Sequence, residues 1–202
     1  DYDAQILMRY ASFDPLNGEP SLHPALVAGA DSTVYIVQFT GAIVPGMLTD
    51  LVGAGATPRA YLPNFAYIAT VPGEALNRVR ALASVRAVVP YHPAYRLDES
   101  VLATLFPAQN LASGPDQAVL YNIQVLTPGP SLKPAIIADV AAAGGTMESV
   151  TQAGAQVKAW LTRGQLVSVL RSNAVLFVDP AGAPEGDMDV IRQATGAVFV
   201  QD

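Results

Sequence analysis

The chain has no cysteine, two histidines, one tryptophan and 14% charged residues in a length of 202. Without cysteine there is no disulfide framework, no thiol nucleophile and no Cys-ligated zinc or iron–sulfur centre. His23 and His92 are too few for a metal cage or a multi-step proton relay. No apolar run reaches the roughly 18 residues that span a bilayer. Positive charge is scarce: 11 Lys and Arg stand against 17 Asp and Glu, a net of −6, which argues against nucleic acid and against an anionic membrane surface as partners. The opening DYDAQILMRY lacks the basic and apolar stretches of a signal peptide and begins without Met. A mature secreted, extracellular or periplasmic chain is the expectation. What is plentiful is apolar, 51% of the residues, enough for a core and against wholesale disorder.

The sequence repeats itself with a period of about 86 to 90 residues. Val34-Tyr-Ile-Val-Gln-Phe39 returns as Leu120-Tyr-Asn-Ile-Gln-Val125. Asp50-Leu-Val-Gly-Ala-Gly55 returns as Asp139-Val-Ala-Ala-Ala-Gly-Gly145, and Ala66–Val71 parallels Ala155–Trp160. Leu76, Val79, Val85, Val88 and Pro90 match Leu166, Val169, Val175, Val178 and Pro180 at a constant offset. Each copy opens with a β-branched, aromatic run, 34–39 or 119–126, read as a strand. A helical segment follows, with Pro45 or Pro134 near its start and Gly53 and Gly55, or Gly144 and Gly145, stopping it in a left-handed backbone. Two short strands come next, 58–63 with 66–71 and 146–151 with 155–161. A second helix (73–84, 163–173) and a last strand (Val85–Pro90, Ala174–Asp179) close each unit.

The order β-α-β-β-α-β, twice, predicts an α+β chain of two tandem ferredoxin-like units, each an antiparallel four-stranded sheet with both helices on one face. The expected divisions are an extended arm at 1–33, a first unit at 34–96, a connector at 97–118 with a helical turn at Glu99–Leu105, a second unit at 119–180, and a linker and tail at 181–202. In the tail, Asp187–Ala197 reads as a short helix.

The run YIVQF…YLPNFAYIATVPGEALNRVRALASVRAVVPYHPAYRLDE (35–99) resembles the N-terminal pro-region of bacterial secreted subtilisin-like serine proteases. The arm SFDPLNGEPSLHPAL (12–26) and the second unit are similar to that family's longer pro-regions, and DMDVIRQATGA (187–197) to the helix that opens their catalytic part. The resemblance implies a non-catalytic pro-region that assists folding of its protease and inhibits it for a time. It implies a subtilisin-like catalytic domain as partner, in cis or in trans, with the pro-region's sheet face packed on two protease helices. The chain after the last strand, here Asp179, Pro180, Ala181, Gly182, Ala183, Pro184 and Glu185, would enter the substrate cleft as an added strand. The family's catalytic Asp, His and Ser have no counterpart motif in these residues.

The remaining candidates read as structural. His92 in Pro90-Tyr-His-Pro-Ala-Tyr95 is expected to pack beside Tyr91 and Tyr95, and Trp160, at a strand end, to pack in a core or an interface. Tyr61, Phe65 and Tyr67 either anchor a docking surface or fill a sheet face. The four glycines match no phosphate loop, and Asp98-Glu99 and Asp187 with Asp189 read as solvated caps, so neither a cofactor nor a metal is expected. The alternative of another class is a stand-alone structural protein that assembles with itself through its sheets.

Overall fold

A computed structural model of the chain describes residues 4–8, 12–105, 116–151 and 153–182. The helix expected at Asp187–Ala197 lies outside the described residues. The fold is α+β, with antiparallel sheets. In the arm, β1 (Ile6–Leu7) pairs with β2 (Ser12–Phe13). The first sheet contains β3 (Val34–Phe39), β4 (Thr57–Leu62), β5 (Ala66–Thr70) and β6 (Val85–Pro90), in the order β4-β5-β3-β6. The second contains β7 (Val119–Val125), β8 (Thr146–Val150), β9 (Gln156–Leu161) and β10 (Val175–Pro180), in the order β10-β7-β9-β8. In both, the leading strand is central, between the third and the fourth, and the second strand is an edge.

The two sheets also share their irregularities. The ladder slips between Gln38 and Phe39 opposite Arg86, and at the matching place between Val175 and Phe177, leaving Leu176 as the extra residue. The edge strands slip between Pro58 and Ala60 and between Met147 and Ser149. A bulge leaves one residue outside the ladder and re-aims its side chain.

Helix α1 (Pro45–Gly53) follows β3, and α2 (Leu76–Arg80) follows a 3-10 turn at Gly73–Ala75; α2 is shorter than the 73–84 expected. Next come α3 (Glu99–Leu105), α4 (Lys133–Ala142) and α5 (Arg163–Val169). Pro45 and Pro134 sit in the first turns of α1 and α4, where the missing N–H leaves no bond unmade. Of the four expected stop glycines, Gly55 (φ +99°) and Gly144 (φ +77°) take the left-handed backbone. Gly53 is still helical. Gly145 answers a different need: a Cβ there would lie 2.4 Å from Leu161 Cδ2 and 3.2 Å from the Trp160 carbonyl oxygen.

Alternation along the central strands sends neighbouring side chains to opposite faces. In the first unit Val37, Phe39, Ala69 and Val71 join Leu51, Ala75 and Val79 of the helical side in one buried cluster. The other face, Val34, Ile36, Ala66, Ile68 and Val89, belongs to a second and larger cluster. That cluster takes in Ile6, Phe13 and Leu26 of the arm, Tyr91–Leu105 of the connector and the interior of the second unit. Burying each large arm side chain is worth roughly 1.5–3 kcal/mol before ordering costs.

Polar contacts fix the arm in place. Gln38, wholly buried, donates from Nε2 to the Ala4 carbonyl (3.1 Å), and Asn64 donates from Nδ2 to that of Gln5 (2.9 Å). Arg86, aimed off the ladder by its bulge, donates to Gln38 Oε1 (2.8 Å) and pairs with Asp14 (2.7 Å). Arm and first unit therefore form one packed body.

The connector is the second junction. Tyr91 through Leu97 are all buried, with a 3-10 turn at Pro93–Arg96. Leu97 forms a parallel bridge to Val178, and the Asp98 N–H donates to the Val178 carbonyl (2.9 Å). The Tyr91 hydroxyl donates to the Leu176 carbonyl (3.0 Å). Arg96, 1% exposed, donates to the carbonyls of Leu170 and Ser172, at the C-terminal end of α5, and to that of Tyr91 in the connector.

Candidate binding surface

The central row of the first sheet's arm-covered face is Ile68–Ile36–Val89, set side by side by the strand register. These residues are 3%, 0% and 8% exposed. The same row of the second sheet is Lys158–Asn122–Asp179. Three aliphatic side chains are thus replaced by a cation, an amide and a carboxylate. Asn122 donates from Nδ2 to Asp179 Oδ1 (2.6 Å). Above this row Leu120 lies beside Trp160, and below it Gln124 lies between Gln156 and Phe177. All of these are at least partly exposed, Trp160 by 40%. The helical side of the same sheet (Tyr121, Ile123, Val157, Ala159, Val178) is buried.

The two sheets therefore differ in their second face. One is aliphatic and covered by the chain's own arm. The other is amide-rich with aromatic flanks and open to solvent. Aromatic residues are enriched at protein interfaces, and here Trp160 and Phe177 flank a row that carries one charge of each sign. At its lower corner the patch meets an apolar groove of about 490 Å³, lined by Leu7, Met8, Leu62, Tyr91, Tyr95 and Phe177.

Trp160, expected in a core or an interface, stands on this open face, its indole N–H donating to Glu148 Oε2 (2.9 Å). Asp179 and Pro180 lie within β10, not beyond it: they pair with Asn122 and Tyr121, and the Ala181 N–H extends the ladder to the Leu120 carbonyl (2.9 Å). The ladder runs on because β7 begins at Val119 and still has an acceptor to offer. Gly182 is exposed, and Ala183, Pro184 and Glu185 lie outside the described residues. Tyr61, Phe65 and Tyr67 gather at the β4–β5 hairpin of the first unit. The Tyr61 and Tyr67 rings meet edge-on at 5.6 Å, and Phe65 and Tyr67 pack against the helical-side cluster. They are not part of the open face. The hairpin turn holds Asn64 and Phe65 at φ +60° and +61°, a costly backbone for a bulky residue.

His92 contacts Tyr95 (5.4 Å between ring centroids). Its Nδ1 accepts the Ala28 N–H (2.9 Å) and its Nε2 lies 2.8 Å from Glu19 Oε2, to which the Tyr95 hydroxyl also donates (3.3 Å). Both ring nitrogens are engaged, so the imidazole ties arm to connector and is not poised as a base. Between the first unit and α4–α5 lies a polar cleft of about 520 Å³ bearing Arg59 and Arg171 beside Asp31 and Asp139. The two cations face two anions there. Among the described residues no His, Asp and Glu side chains gather to hold a metal ion, and no helix is long and apolar enough to cross a membrane.

A family model described as a domain of unknown function (DUF8729) matches residues 7–92. That span runs from β1 to just past β6, so arm and first unit fall together within it. No curated protein and no solved structure matches the chain.

Proposed function

We propose that the chain is a non-catalytic pro-region built from two ferredoxin-like units, which binds a secreted subtilisin-like serine protease, helps it fold and inhibits it until removed. The strand order of each sheet, with the fourth and third strands flanking the first, supports the ferredoxin-like reading. The resemblance of residues 35–99 to such pro-regions supports the partner. The single observation that carries the binding role is the open face of the second sheet, since the equivalent face of the first is already occupied by the arm. A protease of this class has a parallel-sheet core and folds slowly. A preformed surface that binds the native state stabilises that state by mass action.

The test is a titration of a subtilisin-like protease with the chain, read as peptide hydrolysis, together with refolding of the denatured protease in its presence. Slow, saturable inhibition and a raised refolding yield are expected. A chain lacking residues 183–202 is the correct truncation, because removing 179–182 would strip the end of β10. Inhibition should weaken with it. Undiminished hydrolysis and an unchanged refolding yield with the chain in large excess would reject the reading.

A further inference from the structure

The open face of the second sheet is complementary to itself. Across it the strands run β10-β7-β9, and the row Asp179–Asn122–Lys158 puts the anion on one flank, the amide at the centre and the cation on the other. Two copies can be laid face to face with a twofold axis in the interface, parallel to β7 and above Asn122. Rotation about that axis exchanges the flanks. Lys158 then meets Asp179 of the second copy, and Asp179 meets the other Lys158. Asn122, Leu120 and Gln124 each meet their own counterpart.

The side-chain sizes agree. Trp160 pairs in register with Leu120, and on the other flank Leu120 is bonded to Ala181. The same rotation therefore sets each indole over the small Ala181 of the other copy. Phe177 and Gln156, both level with Gln124, are brought together likewise. The other twofold axis within the interface, perpendicular to the strands, sets Lys158 against Lys158 and Asp179 against Asp179. Like charges directly opposed are unfavourable, so charge selects the first arrangement. It is an isologous contact with strands aligned as in sheet-on-sheet packing.

We infer that the free chain self-associates through this face, with Lys158 and Asp179 forming two symmetry-related ion pairs between copies. This goes beyond the protease-binding reading and does not depend on it, because it concerns the chain alone. A patch three strands wide and five residues long spans about 14 Å by 17 Å, smaller than a standard interface. The association is accordingly weak and reversible.

Sedimentation equilibrium of the whole chain from about 1 to 200 µM, at low salt, is the test. The expected result is a monomer–dimer equilibrium that weakens as salt rises. Lys158→Glu sets acid against acid and should leave the chain monomeric throughout the range. Asp179→Lys should do the same. The double variant Lys158→Glu with Asp179→Lys restores opposite charges and should restore the dimer. Circular dichroism checks that each variant is folded. If Asp179→Lys alone misfolds through loss of its Asn122 bond, Lys158→Glu mixed with Asp179→Asn in one solution replaces it: Lys158 of the second then meets Asp179 of the first, and a mixed dimer exceeding that of either parent is expected. A wild-type chain that stays monomeric at 200 µM overturns the inference, even if it still binds a protease. So does a dimer indifferent to Lys158→Glu, or one that the double charge exchange fails to restore.

Discussion

Arg96 carries a charge into the connector, and among the described residues no carboxylate is paired with it. Its guanidinium is met by three carbonyl oxygens and lies 5.4 Å from the centre of the Tyr91 ring. Burial lowers its pKa to about 10, which leaves it a cation at neutral pH. The carbonyls of Leu170 and Ser172 close the C-terminal end of α5, where positive charge is favoured. Arg96→Met should destabilise the fold by roughly 3 kcal/mol, because two buried carbonyls and a half-buried one lose their donor at once. The shift of the urea midpoint at constant slope measures it. Asp14 offers a pH-dependent contact. The hydrogen bond from Arg86, then the Leu16 N–H, holds its carboxyl below the ordinary value of 3.8. A lowered folded-state pKa means that the contribution is fully present above 3.8 and is lost as pH falls through the lowered value. Arm amides, each compared with its intrinsic exchange rate at the same pH, should therefore be less protected below that lowered value than at about pH 6, and Asp14→Asn should flatten that difference.

Elements show which parts of this protein could be read ahead of its structure. The β3 and β7 strands were legible because β-branched and aromatic residues concentrate there, and α3 fell at Glu99–Leu105 as expected. The alignment of Val34–Phe39 with Leu120–Val125 was visible too. Its meaning was not: that Ile36 becomes Asn122, Ile68 becomes Lys158 and Val89 becomes Asp179 on one row emerges only once the register is known. Arm docking was illegible for a different reason. Ile6 and Phe13 carry no periodicity, and their polar anchors lie far along the chain, as with Gln38 and Ala4 at a separation of 34 residues. Two substitutions separate local from distant support. Thr162→Ala removes the cap of α5, where Thr162 and Gln165 bond reciprocally, and should cost about 1 kcal/mol. Ile6→Ala removes a fully buried anchor of the arm and should cost about 2–4 kcal/mol, although the residue belongs to a two-residue strand. Thermal or urea denaturation of both variants ranks the two.

For the molecule as a whole, the larger buried cluster joins the arm, the covered face of the first sheet, the connector and the interior of the second unit. Units of about 60 residues are marginal alone, and here they share a core. Melting should accordingly be one transition, with calorimetric and van't Hoff enthalpies equal. Two resolved transitions would show that the shared cluster does not couple the units.

The matched ladder slips have a consequence for how two copies of one design came to differ. A residue outside the pairing can change its chemistry while every neighbouring bond stays as it was. In one copy that spare place holds Arg86, which fastens the chain's leading segment. In the other it holds Leu176, whose main-chain oxygen receives the Tyr91 hydroxyl. Divergence of this kind needs no re-threading of the sheet. Exchanging the two residues should therefore loosen the leading segment and leave both sheets intact.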